Sequence, residues 1–466
     1  MQLPHKSIVY AIITGIILCY NGILQAQTLN LFDAVNKTLS NYPLIKQREA
    51  QLASSKAHIT TVNDERLPSL KLMDEVNYGI ANSVPGAYFP MGNIPSTSGS
   101  IFKSQNGDPS TGSVGISYLD WPVFTFGYYS ARTKEAKANM ATQQSVLNSE
   151  KYLLTNNIIT LYLDWLKKYR LLQVETENLS RSETILNAIR ANVNSGLKPG
   201  VDSSTAVATY AHDRMAYLQA NNDYQNDLIA IATFTGSGTI HIEPDTTIVS
   251  NGFPDAGNQL QTNDSININH PILDFYQKQY EQQLARNKSI ARSYMPKLSL
   301  QGAGWLRASS ISPQEGYSAN LAKGIEYSRS NYLFGAVLSL NLFDIKHRYD
   351  KIQEGRYEAD SRKYALETQQ LGLNQLLQQT NSAYATEMQK LKEFPAELQA
   401  ARDAYNQQSA LYKAGLNTLI DVTNALYVLK QTETDYVLAQ DELLQLLYQK
   451  AALSNQTNIF LEKFKR

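Results

Sequence analysis

The sequence predicts a mainly α-helical protein that also carries four membrane-type β-strands, built by duplicating one helix-strand-strand-helix-helix unit. Three observations carry this. Landmark residues recur in the same order in both halves, Pro43 and Pro68 returning 228 residues on as Pro271 and Pro296, and Gly196 returning 219 residues on as Gly415. Four stretches of about ten residues alternate apolar and polar side chains, the period of a half-buried strand or a barrel wall. Between them run very long stretches with no strand pattern, and the last keeps a 3.5-residue apolar repeat, the mark of coiled-coil packing.

Composition narrows the class. The 466 residues carry 42 Lys+Arg against 42 Asp+Glu and a single cysteine. Zero formal charge argues against a nucleic-acid partner, whose footprint is a basic excess. One cysteine excludes a disulfide framework. A mean hydropathy of −0.34 is too polar for a bundle of membrane-spanning helices, each of which needs about 20 apolar residues.

Residues 1–26 read as a signal peptide: Lys6, then an apolar run from Ser7 to Cys19, then Leu24-Gln25-Ala26 as the cleavage site. Cys19 could instead accept a lipid, but Leu18 precedes it where lipoprotein signals place a small residue. The first repeat is expected over 27–235, a linker over 236–269, the second repeat over 270–454 and a tail over 455–466.

Within each repeat, Pro43 and Pro271 suit a first helical turn, with Asn41 and Asn269 as capping candidates. The helices should stop at Pro68 and Pro296. Strands are expected at about 69–82, 112–123, 297–306 and 331–343. Their apolar faces read Leu70, Leu72, Val76, Tyr78; Val114, Ile116, Tyr118; Leu298, Leu300; and Phe334, Ala336, Leu338. Helices follow from Tyr128 to Asn194 and from Lys346 to Lys413, the latter bent or interrupted near Pro395. Past each glycine turn comes a seam, through Val207, Tyr210, Tyr217, Tyr224 and Leu228 in one half. In the other it runs through Leu419, Val422, Leu426, Leu429, Tyr436, Leu443 and Leu447, broken by Glu433 and Gln440.

Four strands cannot close a barrel in lipid, where open sheet edges are not tolerated, and single-chain barrels of the outer membrane start at about eight strands. If the strands span a membrane, several chains must therefore pool them. Residue by residue, the chain resembles the TolC family of outer-membrane efflux proteins. The likeness rests on Thr28-Leu29-Asn30-Leu31, on the Asn-x-Pro starts at 41–43 and 269–271, and on Leu342-Phe343-Asp344. It rests above all on the paired turns Gly196-Leu197 and Gly415-Leu416, each with Asp six residues after the Gly (Asp202, Asp421).

The resemblance implies a homotrimer with a twelve-stranded outer-membrane β-barrel, continued by a periplasmic α-helical coiled-coil barrel. It implies a passive export channel of a tripartite efflux or type I secretion system, bound to outer-membrane lipid, a periplasmic adaptor (membrane fusion protein) and an inner-membrane transporter, with cargo left open. The turns at Gly196, Leu197, Gly415 and Leu416 would be adaptor docking tips. Asp202, Tyr412, Asn417, Asp421 and Asn424 would line a periplasmic gate; Asn417 stands where the family can have a basic residue, and Asn424 where it can have a second acidic ring. For Asp421 the alternative is a helix cap near the positive N-terminus. The five histidines outside the signal (His58, His212, His241, His270, His347) are scattered and expected to be surface or seam residues. No catalytic constellation, cofactor or metal site is expected. The rival from another class is a structural coiled-coil or adaptor protein of the cell envelope.

Overall fold

The computed structural model describes residues 27–80, 82, 105, 107–196, 199–237, 242–250, 266, 269–312, 316–317 and 320–462; the signal segment, His241 and most of the linker lie outside them. The chain divides into two compact units. One comprises Met1–Gln51, Gln144–Gln277 and Tyr364–Arg466, the other Leu52–Gln143 and Lys278–Lys363. Each unit draws on both sequence repeats, because the strands of the two repeats pair with one another and not only within a repeat.

The second unit is organised by a four-stranded antiparallel sheet. Its strands are β2 (Ser69–Gly79), β3 (Ser110–Phe124), β5 (Lys297–Ser309) and β6 (Arg329–Ser339), in that spatial order. Register fixes the faces. Leu70 opposes Leu119, Leu119 opposes Gly302, and Gly302 opposes Phe334. One face therefore carries Leu70, Leu72, Val76, Leu119, Trp121, Leu300, Phe334 and Leu338, while Lys71, Glu75, Asn77, Asp120 and Gln301 take the other.

This corrects the expectation for β3. Val114, Ile116 and Tyr118 lie on the polar face, opposite Glu75, Met73 and Lys71. The apolar face of β3 is small instead (Ser113, Gly115, Ser117) because the chain itself covers part of it. The Tyr327 hydroxyl donates to Asp74 across Gly115, where a Cβ would stand 2.9 Å from that hydroxyl. The 3-10 turn Leu321–Gly324 sits on Thr111, whose hydroxyl donates to the Leu321 carbonyl. A Cβ at Gly324 would lie 2.4 Å from the Thr111 backbone carbonyl.

The first unit is held by helices around one core. A short strand β1 (Gln27–Leu29) pairs in parallel with β4 (Ile242–Pro244). The buried Tyr162 hydroxyl pins both, donating to the Leu29 carbonyl at 2.6 Å and accepting from the Asp245 N–H at 3.0 Å. Around them lie helices α1 (Leu31–Asn41), α3 (Tyr128–Asn194), α4 (Gly200–Thr235), α7 (Leu419–Leu453) and α8 (Thr457–Glu462). Their core gathers Leu31, Ile158, Trp165, Ile231, Leu447 and Phe460. The remaining helices are α2 (Pro43–Asp64), α5 (Pro271–Ser293) and α6 (Asp344–Lys413).

Several local expectations change. α2 and α5 end at Asp64 and Ser293, before their stop prolines. α6 runs through Pro395 without interruption. Asn41 is the last residue of α1, two residues before α2 begins at Pro43, and its side-chain amide donates to the Thr235 carbonyl at 3.1 Å. The cap of α5 is His270, one residue after Asn269. Its carbonyl accepts from the Asp274 N–H at 2.9 Å, and its Nδ1 accepts from the Ile272 N–H at 3.3 Å. At 0% exposure, His270 is not a surface residue. On α4, Val207 is exposed and the seam passes through Ala206, Asp213, Tyr224 and Leu228.

Candidate functional site: the helix-turn ends

Both glycine turns have the left-handed backbone that lets a helix stop and reverse. Gly196 has φ +72° and Gly415 φ +76°, values at which an L side chain is strained. At the second turn the Leu416 N–H donates to the Leu411 carbonyl at 2.9 Å and the Gly415 N–H to the Tyr412 carbonyl at 3.0 Å. These two bonds satisfy the last carbonyls of α6 in a Schellman closure. The first turn repeats the inner bond, from Gly196 to Val193 at 3.0 Å; Leu197 lies outside the described residues. No atom lies within 4 Å of a Cβ added at either glycine. Leu416 is 74% exposed, and Ile420 and Val201 are also exposed, so each turn region presents apolar side chains to solvent.

Asn417 is turned back onto α6, its amide donating to the Gln408 carbonyl at 3.0 Å and to Gln408 Oε1 at 2.6 Å. Thr418 and Asp421 then form a capping box. The Asp421 N–H donates to Thr418 Oγ1 at 3.4 Å, and Asp421 Oδ2 accepts from the Thr418 N–H at 3.0 Å and its hydroxyl at 2.7 Å. These bonds hold the Asp421 carboxyl below its ordinary pKa. Asp421 thus caps α7 while remaining exposed, and Asn424 is exposed one turn further on.

Tyr412 is buried with Leu186, Ile189, Ala206, Leu419 and Val422. Burial, then the nearby Asp202 charge, raises the pKa of its hydroxyl. The structure therefore joins Tyr412 with Asp202, and Asp421 with Thr418. Asn417 bonds within its own turn. Thr418 was missed from the sequence although Thr-x-x-Asp at 418–421 is readable as a capping box; Gln408 carries no sequence signal.

The seam breaks also have partners. Glu433 accepts from Arg181 at 2.6 Å, and Gln440 from Arg170. Among the described residues, no helix is long and apolar enough to cross a membrane.

Comparison with known proteins agrees with this architecture. The sequence profile of the outer membrane efflux protein family matches residues 34–237 and 267–454. The fold is similar to the solved structure of CusC, with a TM-score of 0.73 at 12% identity over 92% of this chain and 93% of that one. It is similar to the Campylobacter jejuni CmeC outer membrane channel, with a TM-score of 0.71 at 14% identity over 94% and 89%. For the Vibrio cholerae outer membrane protein VceC the TM-score is 0.69 at 13% identity over 91% and 96%. None of the curated proteins matches the chain. The family match thus defines the class, an outer-membrane channel subunit, and the fold is consistent with it. The chain belongs to the outer membrane efflux protein family, and its function is efflux across the outer membrane. That assignment removes the reading as an envelope adaptor.

Proposed function

We propose that the chain is one of three identical subunits that pool their strands into a barrel. That barrel is continued by helices into a passive duct, which docks through a periplasmic adaptor onto an inner-membrane transporter. The observation that carries this is the open sheet. β2 pairs only with β3 and β6 only with β5 among the described residues, and both edge strands are exposed along their whole length. Unpaired backbone at a sheet edge is costly in lipid and is removed by closure, so β2 of one copy takes β6 of the next.

The turns at Gly196-Leu197 and Gly415-Leu416 are the adaptor docking tips. Their apolar exposure favours this role: Leu416, Ile420 and Val201 form no part of the subunit's core. The gate is formed by Asp202, Tyr412, Asn417, Asp421 and Asn424. Tyr412 and Asp202 hold α6 against α4, Asn417 stiffens the turn, and Asp421 with Asn424 supplies the exposed polar surface that passing solutes meet. The expected domains are 1–26 as a removed signal, 27–235 and 270–454 as the two repeats, and 236–269 with 455–466 as a belt beside the helices. Chemical cross-linking of detergent-extracted protein tests the assembly. Trimers are expected; a cross-link ladder that stops at monomer or dimer would overturn it.

A further inference from the structure

The two polar residues that interrupt the apolar seam of α7 are unexplained by the gate, and one of them joins three helices. Glu433 is 7% exposed. From α3, Arg181 donates to it through both terminal nitrogens, at 2.6 and 3.5 Å. From α6, Arg402 approaches the same carboxylate at only 3.6 Å, with its side chain 53% exposed. A buried polar group in a helical seam costs stability, and its best-attested use is to set register or to act as a switch. The question is which of the two contacts gives way.

The asymmetry answers it. α7 is fastened to α3 at five levels, by Arg181–Glu433, Lys430–Glu175 at 2.9 Å, Arg170–Gln440, Lys167–Asp441 at 3.5 Å and Tyr448–Asn156. Towards the turn from Pro395, the polar contacts seen between α6 and α7 are long, the loose Arg402–Glu433 pair and Thr432 to Glu397 at 3.5 Å. Pro395 has no N–H to give the helix, so a backbone bond of α6 is missing there. Seven residues separate it from Arg402, two helical turns or roughly 10 Å. Arg402, Glu433 and Arg181 all line one groove of about 660 Å³, whose walls also include Thr176, Ser180 and Asn406. A guanidinium leaving Glu433 finds hydrogen-bond acceptors there without being buried unpaired.

We propose that Glu433 is a second latch of the closed duct. It holds the turn-proximal end of α6 through Arg402. Opening parts Arg402 from Glu433 within the groove and bends α6 at Pro395 while α7 stays fastened to α3. Glu433 and Arg402 are positioning residues: they act through α6, which carries Tyr412, and touch no cargo. The inference rests on the duct reading above.

The test is the resting conductance of purified full-length trimers in a planar bilayer, with thermal unfolding measured alongside. Arg402→Gln, an exposed change that leaves Arg181–Glu433 intact, should raise resting conductance about fivefold or more, as three weak ion pairs lost together can supply. Arg402→Lys should restore the wild-type level, and neither variant should shift the thermal midpoint. Adding Pro395→Ala, which restores the missing helix bond, should reduce the leak of Arg402→Gln. An unchanged conductance in Arg402→Gln, beside a raised one in Tyr412→Phe, would overturn the latch and leave the duct standing. A lowered thermal midpoint with unchanged conductance would also overturn it, reducing Glu433 to a register pin. Trimers that conduct in no variant would bring down the duct reading and the latch with it.

Discussion

Two buried titratable groups in the first unit should give its stability opposite pH slopes. His270 caps α5 through Nδ1, which leaves the proton on Nε2, 3.1 Å from the Tyr152 hydroxyl. Burial lowers its pKa from 6.5 to about 4, and a second proton would set an N–H against the Ile272 N–H. The unfolded chain therefore binds this proton first. The contribution is whole above pH 6.5 and drains as pH falls towards 4, by about 2.5 kcal/mol per subunit between pH 7 and 4.5. Asp441 works the other way. Burial lifts its carboxyl from 3.8 to about 6, against the pull of Lys167. Here the folded chain binds the proton first, so acidification over the same interval relieves a burden of about 2 kcal/mol. The wild type should be nearly flat in pH because the two cancel. His270→Asn keeps a capping side chain and removes the titration, so acidification should stabilise this variant by about 2 kcal/mol. Asp441→Asn should be destabilised by about 2.5 kcal/mol on the same change. Urea unfolding in detergent at pH 7 and 4.5, followed by circular dichroism, reads both. If both variants keep the wild-type slope, the burial argument is wrong.

Three further outcomes follow from the turns. Asp421→Asn should lower cation selectivity in a planar bilayer with trimers intact, since acidic side chains near a narrow pore attract counter-ions; unchanged selectivity with reduced thermal stability would leave only the capping role. Trp at both Gly196 and Gly415 should abolish export while folded trimers still reach the outer membrane, and preserved export would refute docking at these turns. Gly415→Ala meets no atom, so it should cost only the strain of positive φ, about 1 kcal/mol; a loss well beyond that would reveal a packing role.

The features set by local chemistry were the readable ones. Gly196 and Gly415 mark the turns because few other residues accept their backbone, and Pro43 and Pro271 mark helix starts because a first turn needs no N–H there. Alternation located all four strands but misplaced the face of β3. Its parity depends on Leu70 meeting Leu119, and its small outer residues depend on Tyr327, about 210 residues away in sequence. Asn41 ends α1, and the amide bond it makes to Thr235, 194 residues on, has no local signal. Glu433 and Gln440 were visible as interruptions of a seam. Their arginine partners on α3 lie some 250–270 residues distant, and no local pattern points to them. For the β3 face and the seam partners, a long-range contact decided what a local pattern could not, whereas the Thr418–Asp421 capping box is a local signal.

The central claim is that four strands per chain become a conducting barrel only by pooling across three copies. Single-channel recording on size-separated trimers and monomers in planar bilayers tests it most directly. The account predicts discrete ion conductance from trimers and none from monomers; steady conductance by monomers, or silent intact trimers, would contradict it.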